Sequence, residues 1–169
     1  MKTRTETIKT ILSAVDWQRV ASDMHEKGYA LVQNVLPPEY CDEFIAGYDK
    51  PGIYRKTVVM ARHRFGLGEY KYFDYPLPEL IQTAREMIYP ILAPVANAWM
   101  ERLRIERRFP KTFDELRSLC RKAGQTRPTP LILKYDKCGF NTMHQDLYGE
   151  VFFPIQLAFF LNEDRKSVV

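Results

Sequence analysis

The chain changes its hydrophobic period once, at the proline-rich stretch GQTRPTP, residues 124–130. Before that stretch, apolar residues recur at helical spacing between capping signals. After it, short apolar runs with strand-like composition are separated by turn residues. A chain of helices first and strands later folds as α+β, with helices packed on an antiparallel sheet or jelly roll. No internal repeat and no low-complexity linker interrupts it, and 169 residues suit one domain with a real core.

The helical half carries readable boundaries. Asp16 is placed to cap a helix that Gly28 ends, with Trp17, Val20, Ala21 and Met24 on one face. YALVQNVL, residues 29–36, reads as a strand. Pro38 opens the next helix, whose apolar side is Tyr40, Cys41, Phe44, Ile45 and Tyr48. YRKTVVMARHRF is a strand running into a polar loop. LPELIQTAREMIY is a helix that Pro90 is expected to end, with a further helix starting there. Thr112 and Glu115 have capping-box spacing, and Gly124 closes that helix. LILKY, NTMHQD and VFFPIQLAFFLNE are three strand candidates, with Pro154 near the start of the last.

Composition narrows the function classes. Apolar residues make up 46 % of the chain, which favours folding over disorder. The net charge of +4, from 25 basic and 21 acidic residues, permits nucleic-acid contact without arguing for it. Cys41, Cys120 and Cys138 are odd in number and form no C-x-x-C pair, so free thiols are expected rather than a disulfide framework or zinc knuckle. The N-terminus lacks the continuous apolar core of a secretory leader, and no run is long enough to span a membrane. These features point to a cytoplasmic protein.

One pair of residues carries chemistry. His144 and Asp146 stand two apart on a candidate strand, so both side chains point to one face. An imidazole nitrogen and a carboxylate oxygen suit a divalent iron, and a second histidine would complete a 2-His-1-carboxylate face. Alone the pair is weak evidence, since a surface His beside a solvated Asp is the ordinary reading.

The surrounding residues add to it. LILKYDKCGFNTMHQDLYGE resembles the signature of the Fe(II)- and 2-oxoglutarate-dependent dioxygenases, closest to the AlkB-like form. Tyr135 precedes His144 by nine residues, the spacing seen in that family. GYALVQNVLPPEYCDEFI is similar to the entry strand and helix of prolyl-hydroxylase-type members. RHRFGLGEYKYFDYPLPELI, GQTRPTPLILKY and HQDLYGE together resemble a prokaryotic oxygenase family linked to oxidative demethylation of damaged nucleic acid. The resemblance covers nearly all of residues 15–164.

It implies a single partial oxygenase domain, residues 1–169. Residues 1–127 would be mainly helical support with entry strands, and 128–169 the first strands of an incomplete double-stranded β-helix. His144 and Asp146 would be the first two iron ligands. Tyr135 would hydrogen-bond the distal carboxylate of 2-oxoglutarate, although a barrel-core aromatic fits that position equally. Leu133 departs from the polar residue often found there in AlkB proteins. The reaction implied is hydroxylation or oxidative demethylation, with alkylated DNA or RNA, a peptide proline or a small molecule as substrate. The family's second histidine and its 2-oxoglutarate-binding arginine lie beyond a Gly-Gly-Glu turn, whereas LNED is followed here by RKSVV. The expectation is a truncated chain that binds iron weakly, turns over little and tends to associate, with its oligomeric state open.

Three other features complete the reading. His25 is expected on a solvent-facing helix surface. His63 lies in the basic, aromatic loop ARHRFGLGEY, where Arg62 and Arg64 would meet phosphate or a carboxylate, or be simply solvated. Tyr70, Tyr72, Phe73 and Tyr75 are candidates for an aromatic slot, or for core. Two further readings from other classes stand beside the oxygenase: a non-catalytic remnant or small binding module, and a nucleic-acid-binding α+β protein.

Overall fold

Residues 3–146 and 149–162 are described by a computed structural model. They form five α-helices and five short strands: α1 (Arg4–Ser13), α2 (Trp17–Lys27), α3 (Pro38–Ala46), β1 (Tyr54–Val59), β2 (Gly66–Leu67), β3 (Glu69–Phe73), α4 (Glu79–Arg102), α5 (Phe113–Lys122), β4 (Leu131–Lys134) and β5 (Phe140–Asn141). The architecture is mixed helix and sheet. Among the described residues no helix is long and apolar enough to cross a membrane.

The helix ends follow local hydrogen bonding. Asp16 accepts from the Arg19 backbone N–H, and Gly28 ends α2 at φ 80°, a left-handed turn that costs glycine nothing. Thr112 and Glu115 form a reciprocal capping box on α5, and Thr3 and Glu6 form a second on α1. Pro38 sits in the first turn of α3.

The largest departure from the sequence reading is α4. It runs through Pro90 and Pro94 without ending. Each proline removes one i→i−4 hydrogen bond and crowds the preceding turn, at about 3 kcal/mol. Burial on several sides outweighs this. Leu80, Ala84, Ile88 and Leu92 pack against Ile8 and Leu12 of α1. Tyr89 and Ala93 pack against Phe113 and Leu116 of α5, and Ala96 and Met100 against Phe109. A fully buried side chain of this size contributes about 1.5–3 kcal/mol.

The main sheet has the order β1-β3-β4, all antiparallel. β3 therefore joins residues before and after the proline-rich stretch. Phe73 and Ile132 on one face pack with Tyr48 and Leu77. Tyr48 donates its phenol to Glu69 at 2.9 Å and lies under the Lys71 ammonium at 4.0 Å. Burial, with the Glu69 carboxylate, pushes that phenol well above its ordinary value. Tyr70 and Tyr72 alternate to the other face of β3.

Among the described residues two expected strands are absent, and of NTMHQD only Asn141 lies in a strand. Residues 29–36 are irregular, with a turn at Gln33 and Asn34 and with Leu31 76 % exposed. Among the described residues no segment pairs with them, and a strand without a partner is not stable. Residues 151–162 are also irregular. Phe153 packs on α4 and the chain beyond it instead: its ring lies 5.0 Å from Tyr89 and 5.1 Å from Phe109. The backbone is held by a side chain, since Gln125 donates to the Val151 carbonyl at 2.8 Å and accepts from its N–H at 2.7 Å. Among the described residues the strands form one three-stranded and one two-stranded sheet, and no jelly roll.

Asn97 clamps Phe109 in the same way, accepting from its N–H at 2.7 Å and donating to its carbonyl at 3.0 Å. Replacing Asn97 by Ala leaves two backbone groups of a buried residue without partners. That should cost about 2 kcal/mol, a fall in melting temperature of roughly 4–8 °C. A thermal melt followed by circular dichroism checks it; a change below about 1 °C would contradict the clamp's role.

Candidate oxygenase site

The candidate site is built where the loop after β1 meets the chain leaving β4. The loop Met60–His63 is a single 3₁₀ turn, closed by Arg64 at φ 59°. A left-handed conformation costs a non-glycine residue about 1–2 kcal/mol. It turns the chain into β2, which pairs with β5 in the register Gly66↔Asn141 and Leu67↔Phe140. One residue further, the Thr142 N–H and hydroxyl both donate to the Phe65 carbonyl, at 2.9 and 3.1 Å. The loop and the strand leading to His144 are thus one unit.

Glycines permit that contact. Gly66 has φ 124°, and a Cβ there would lie 2.1 Å from the Phe140 carbonyl oxygen. Cβ atoms on Gly68 and Gly139 would each come 2.8 Å from the Tyr135 side chain. Tyr135 leaves the end of β4 between these two glycines and is 44 % exposed. Partial burial raises its phenol, opposed by a hydrogen bond with Asn141.

His144 and Asp146 lie beyond β5, in irregular chain rather than on the strand expected for them. They meet nevertheless. His144 Nε2 is 3.6 Å from Asp146 Oδ1, and both side chains are nearly half exposed. The Thr142 carbonyl lies 2.7 Å from His144 Nδ1. A carbonyl only accepts, so Nδ1 is the donor in that contact, and Nε2 is the nitrogen that faces Asp146. Gln156 donates to Asp146 Oδ2 at 3.1 Å. One oxygen of the carboxylate is therefore held by protein and the other faces the imidazole.

Gln156 and the Thr142 carbonyl were not foreseen. A signal for Gln156 exists, because it is the one polar side chain in VFFPIQLAFFL. For a backbone carbonyl there is none. The candidate aromatics divide. Tyr70 and Tyr72 lie edge to face at 5.4 Å, and Tyr72 carries Arg55 over its ring at 4.3 Å. Burial, with Tyr70 beside it, raises the Tyr72 phenol, and the Arg55 charge opposes the rise. Phe73 is core at 1 % exposure, and Tyr75 is exposed.

The other histidines stand elsewhere. His25 accepts from Trp99 Nε1 at 3.1 Å, which ties α2 to α4. His63 stacks on Phe65, with ring centroids 5.4 Å apart. Among the described residues no group of three His, Cys, Asp or Glu side chains is placed to hold one metal ion.

Residues 68–168, more than half of the chain, match a family described as oxygenases catalysing oxidative methylation of damaged DNA. The chain belongs to this oxygenase family. The matched part begins at Gly68 and includes Tyr135, His144 and Asp146. Two uncharacterised proteins from two strains of Mycobacterium tuberculosis are each 41 % identical to this oxygenase-family chain over 95 residues. The alignment covers 56 % of this chain and 41 % of each relative, so the chain spans less than half the length of the relatives it matches. No solved structure matches it.

A methyl group at Gly66 has nowhere to go without separating β2 from β5. Gly66→Ala should therefore release the loop, with the Thr142 amide exchanging at least about tenfold faster while the β1–β3 amides stay protected. Hydrogen exchange read by NMR tests this; an unchanged Thr142 would show that the close approach is not required.

Proposed function

We propose that this protein is an Fe(II)- and 2-oxoglutarate-dependent oxygenase acting on an alkylated nucleic-acid base. Residues 1–169 would be one partial domain of it, with residues 128–169 carrying the metal motif. Family membership supports the oxygenase class. The observation that carries the metal assignment is the pairing of His144 Nε2 with Asp146 Oδ1 at 3.6 Å, each side chain anchored by its other polar atom.

The donor set fits the ion. Imidazole suits iron, and one carboxylate offsets part of its charge. Two bonds of about 2.1 Å span up to roughly 4.2 Å, so one ion can reach both atoms. His144 and Asp146 would hold it, and other ligands would come from outside the described residues or from the co-substrate. Iron with 2-oxoglutarate supplies the power to oxidise an unactivated C–H bond.

The chain's own residues do the positioning. Thr142 holds His144 in the tautomer that presents Nε2, and Gln156 fixes the turn of the Asp146 carboxylate; such outer partners commonly govern metal affinity. Tyr135, exposed beside β4, would donate its phenol to the distal carboxylate of 2-oxoglutarate. Tyr70 and Tyr72 would form an apolar wall near the reacting atoms. Oxygen inserted into an N-methyl C–H bond leaves a carbon that departs as formaldehyde, so the outcome on a methylated base is loss of the methyl group.

Metal binding tests this apart from turnover. Anaerobic titration of the chain with Fe(II), or with Co(II) followed by its visible absorption, should saturate at one equivalent. His144→Ala and Asp146→Ala should each weaken it at least about tenfold, and Gln156→Ala by less. Tyr135→Phe should leave metal affinity intact and weaken 2-oxoglutarate binding about threefold to tenfold. Metal binding unaffected by His144→Ala would sink the assignment, and a chain with no specific metal site would favour a non-catalytic module.

A further inference from the structure

We propose that the loop Met60–Phe65 is a contact for single-stranded DNA, with Arg62 and Arg64 taking backbone phosphates and the stacked His63–Phe65 pair taking the face of a base. This rests on the oxygenase reading for the identity of the substrate. It extends that reading to residues before the part of the chain that matches the family, which begins at Gly68.

The argument starts from what the loop's side chains are free to do. Ala61 to Phe65 are all exposed. Among the described residues neither Arg62 nor Arg64 has an ion pair or a side-chain hydrogen bond. Some arginines are committed, Arg4 to Glu43, Arg55 to the Pro128 carbonyl and the Tyr72 ring, Arg117 to Asp114; Arg102 and Arg104 share the freedom of the loop pair but have only Leu103 between them in sequence. Alternating in sequence with these two arginines are His63 and Phe65, an aromatic pair whose ring planes differ by only 24°, with Phe65 44 % exposed. Solvent-facing stacked rings flanked by cations are how proteins hold single strands, because every base has a π-face and every linkage a phosphate.

Placement is the second observation. The Phe65 carbonyl accepts both hydrogen bonds from Thr142, whose own carbonyl orients His144. The loop is therefore fixed to the candidate metal site through two consecutive contacts rather than hanging free. Arg64 is held in a left-handed conformation that glycine or asparagine would adopt more readily.

A fluorescein-labelled oligothymidylate, titrated into the metal-free full chain by fluorescence anisotropy over a range of salt, tests this. Arg62→Ala with Arg64→Ala should weaken binding at least about tenfold and lower the log K against log salt slope by about 1.4, at about 0.7 per phosphate released. Phe65→Ala should weaken binding at least about fivefold and leave the slope unchanged. Arg102→Ala with Arg104→Ala, at the far end of α4, controls for general charge and should change affinity less than about twofold. Circular dichroism melts matched to the parent chain establish that the variants are folded. His144→Ala should bind DNA normally while losing metal, so failure of the oxygenase assignment and failure of this one read out separately. The proposal is overturned if the parent chain shows no salt-dependent binding, if the loop variants bind like it, if the control pair loses as much, or if polyglutamate competes as well as DNA.

Discussion

The structure depends on one long helix being buried along much of its length. α4 receives α1 on its first half, α5 and Phe153 at its middle, and Phe109 near its end. Alanines at 84, 93 and 96, all 1 % exposed or less, let these neighbours approach the backbone closely. That density of burial is what allows two internal prolines to persist. The sheet depends on the helix in turn, since Phe73 and Ile132 rest on Leu77, just ahead of α4. The candidate site depends on the sheet, because β3 and β4 present Tyr70, Tyr72 and Tyr135 beside the β2–β5 pair.

Features set by local hydrogen bonding were legible in the sequence. Asp16, Gly28, Pro38, Thr112 and Glu115 act through groups within a few residues, so their roles could be read without knowing the fold. Strands were harder, because a strand is a relation between distant segments. YRKTVV found a partner in β3 and became one, whereas YALVQNVL found none among the described residues. VFFPIQLAFFL has strand composition, yet its Phe153 packs on Tyr89 of α4 and on Phe109 instead of lying in a ladder. Pro90 misled for a similar reason: local chemistry argues for a break, and tertiary burial decides against it.

The candidate site was partly legible. His144 and Asp146 do meet, although the strand geometry that predicted it is not what brings them together. A backbone carbonyl and a glutamine ten residues on give the pair its orientation. The three glycines that let the loop dock were visible as letters, but the collisions they avoid, with Phe140 and Tyr135, are long-range facts.

The Gln125 clamp on Val151 bears on how relatives of this chain should be compared. A primary amide offers a donor and an acceptor in one plane, which matches a peptide group's own pair. Glutamate lacks the donor, and asparagine lacks the reach. Selection on foldability alone would therefore hold glutamine at this position as tightly as selection on chemistry would. Invariance of such a residue across an oxygenase family would be a record of how an unpaired segment is tethered, and would carry no information about catalysis.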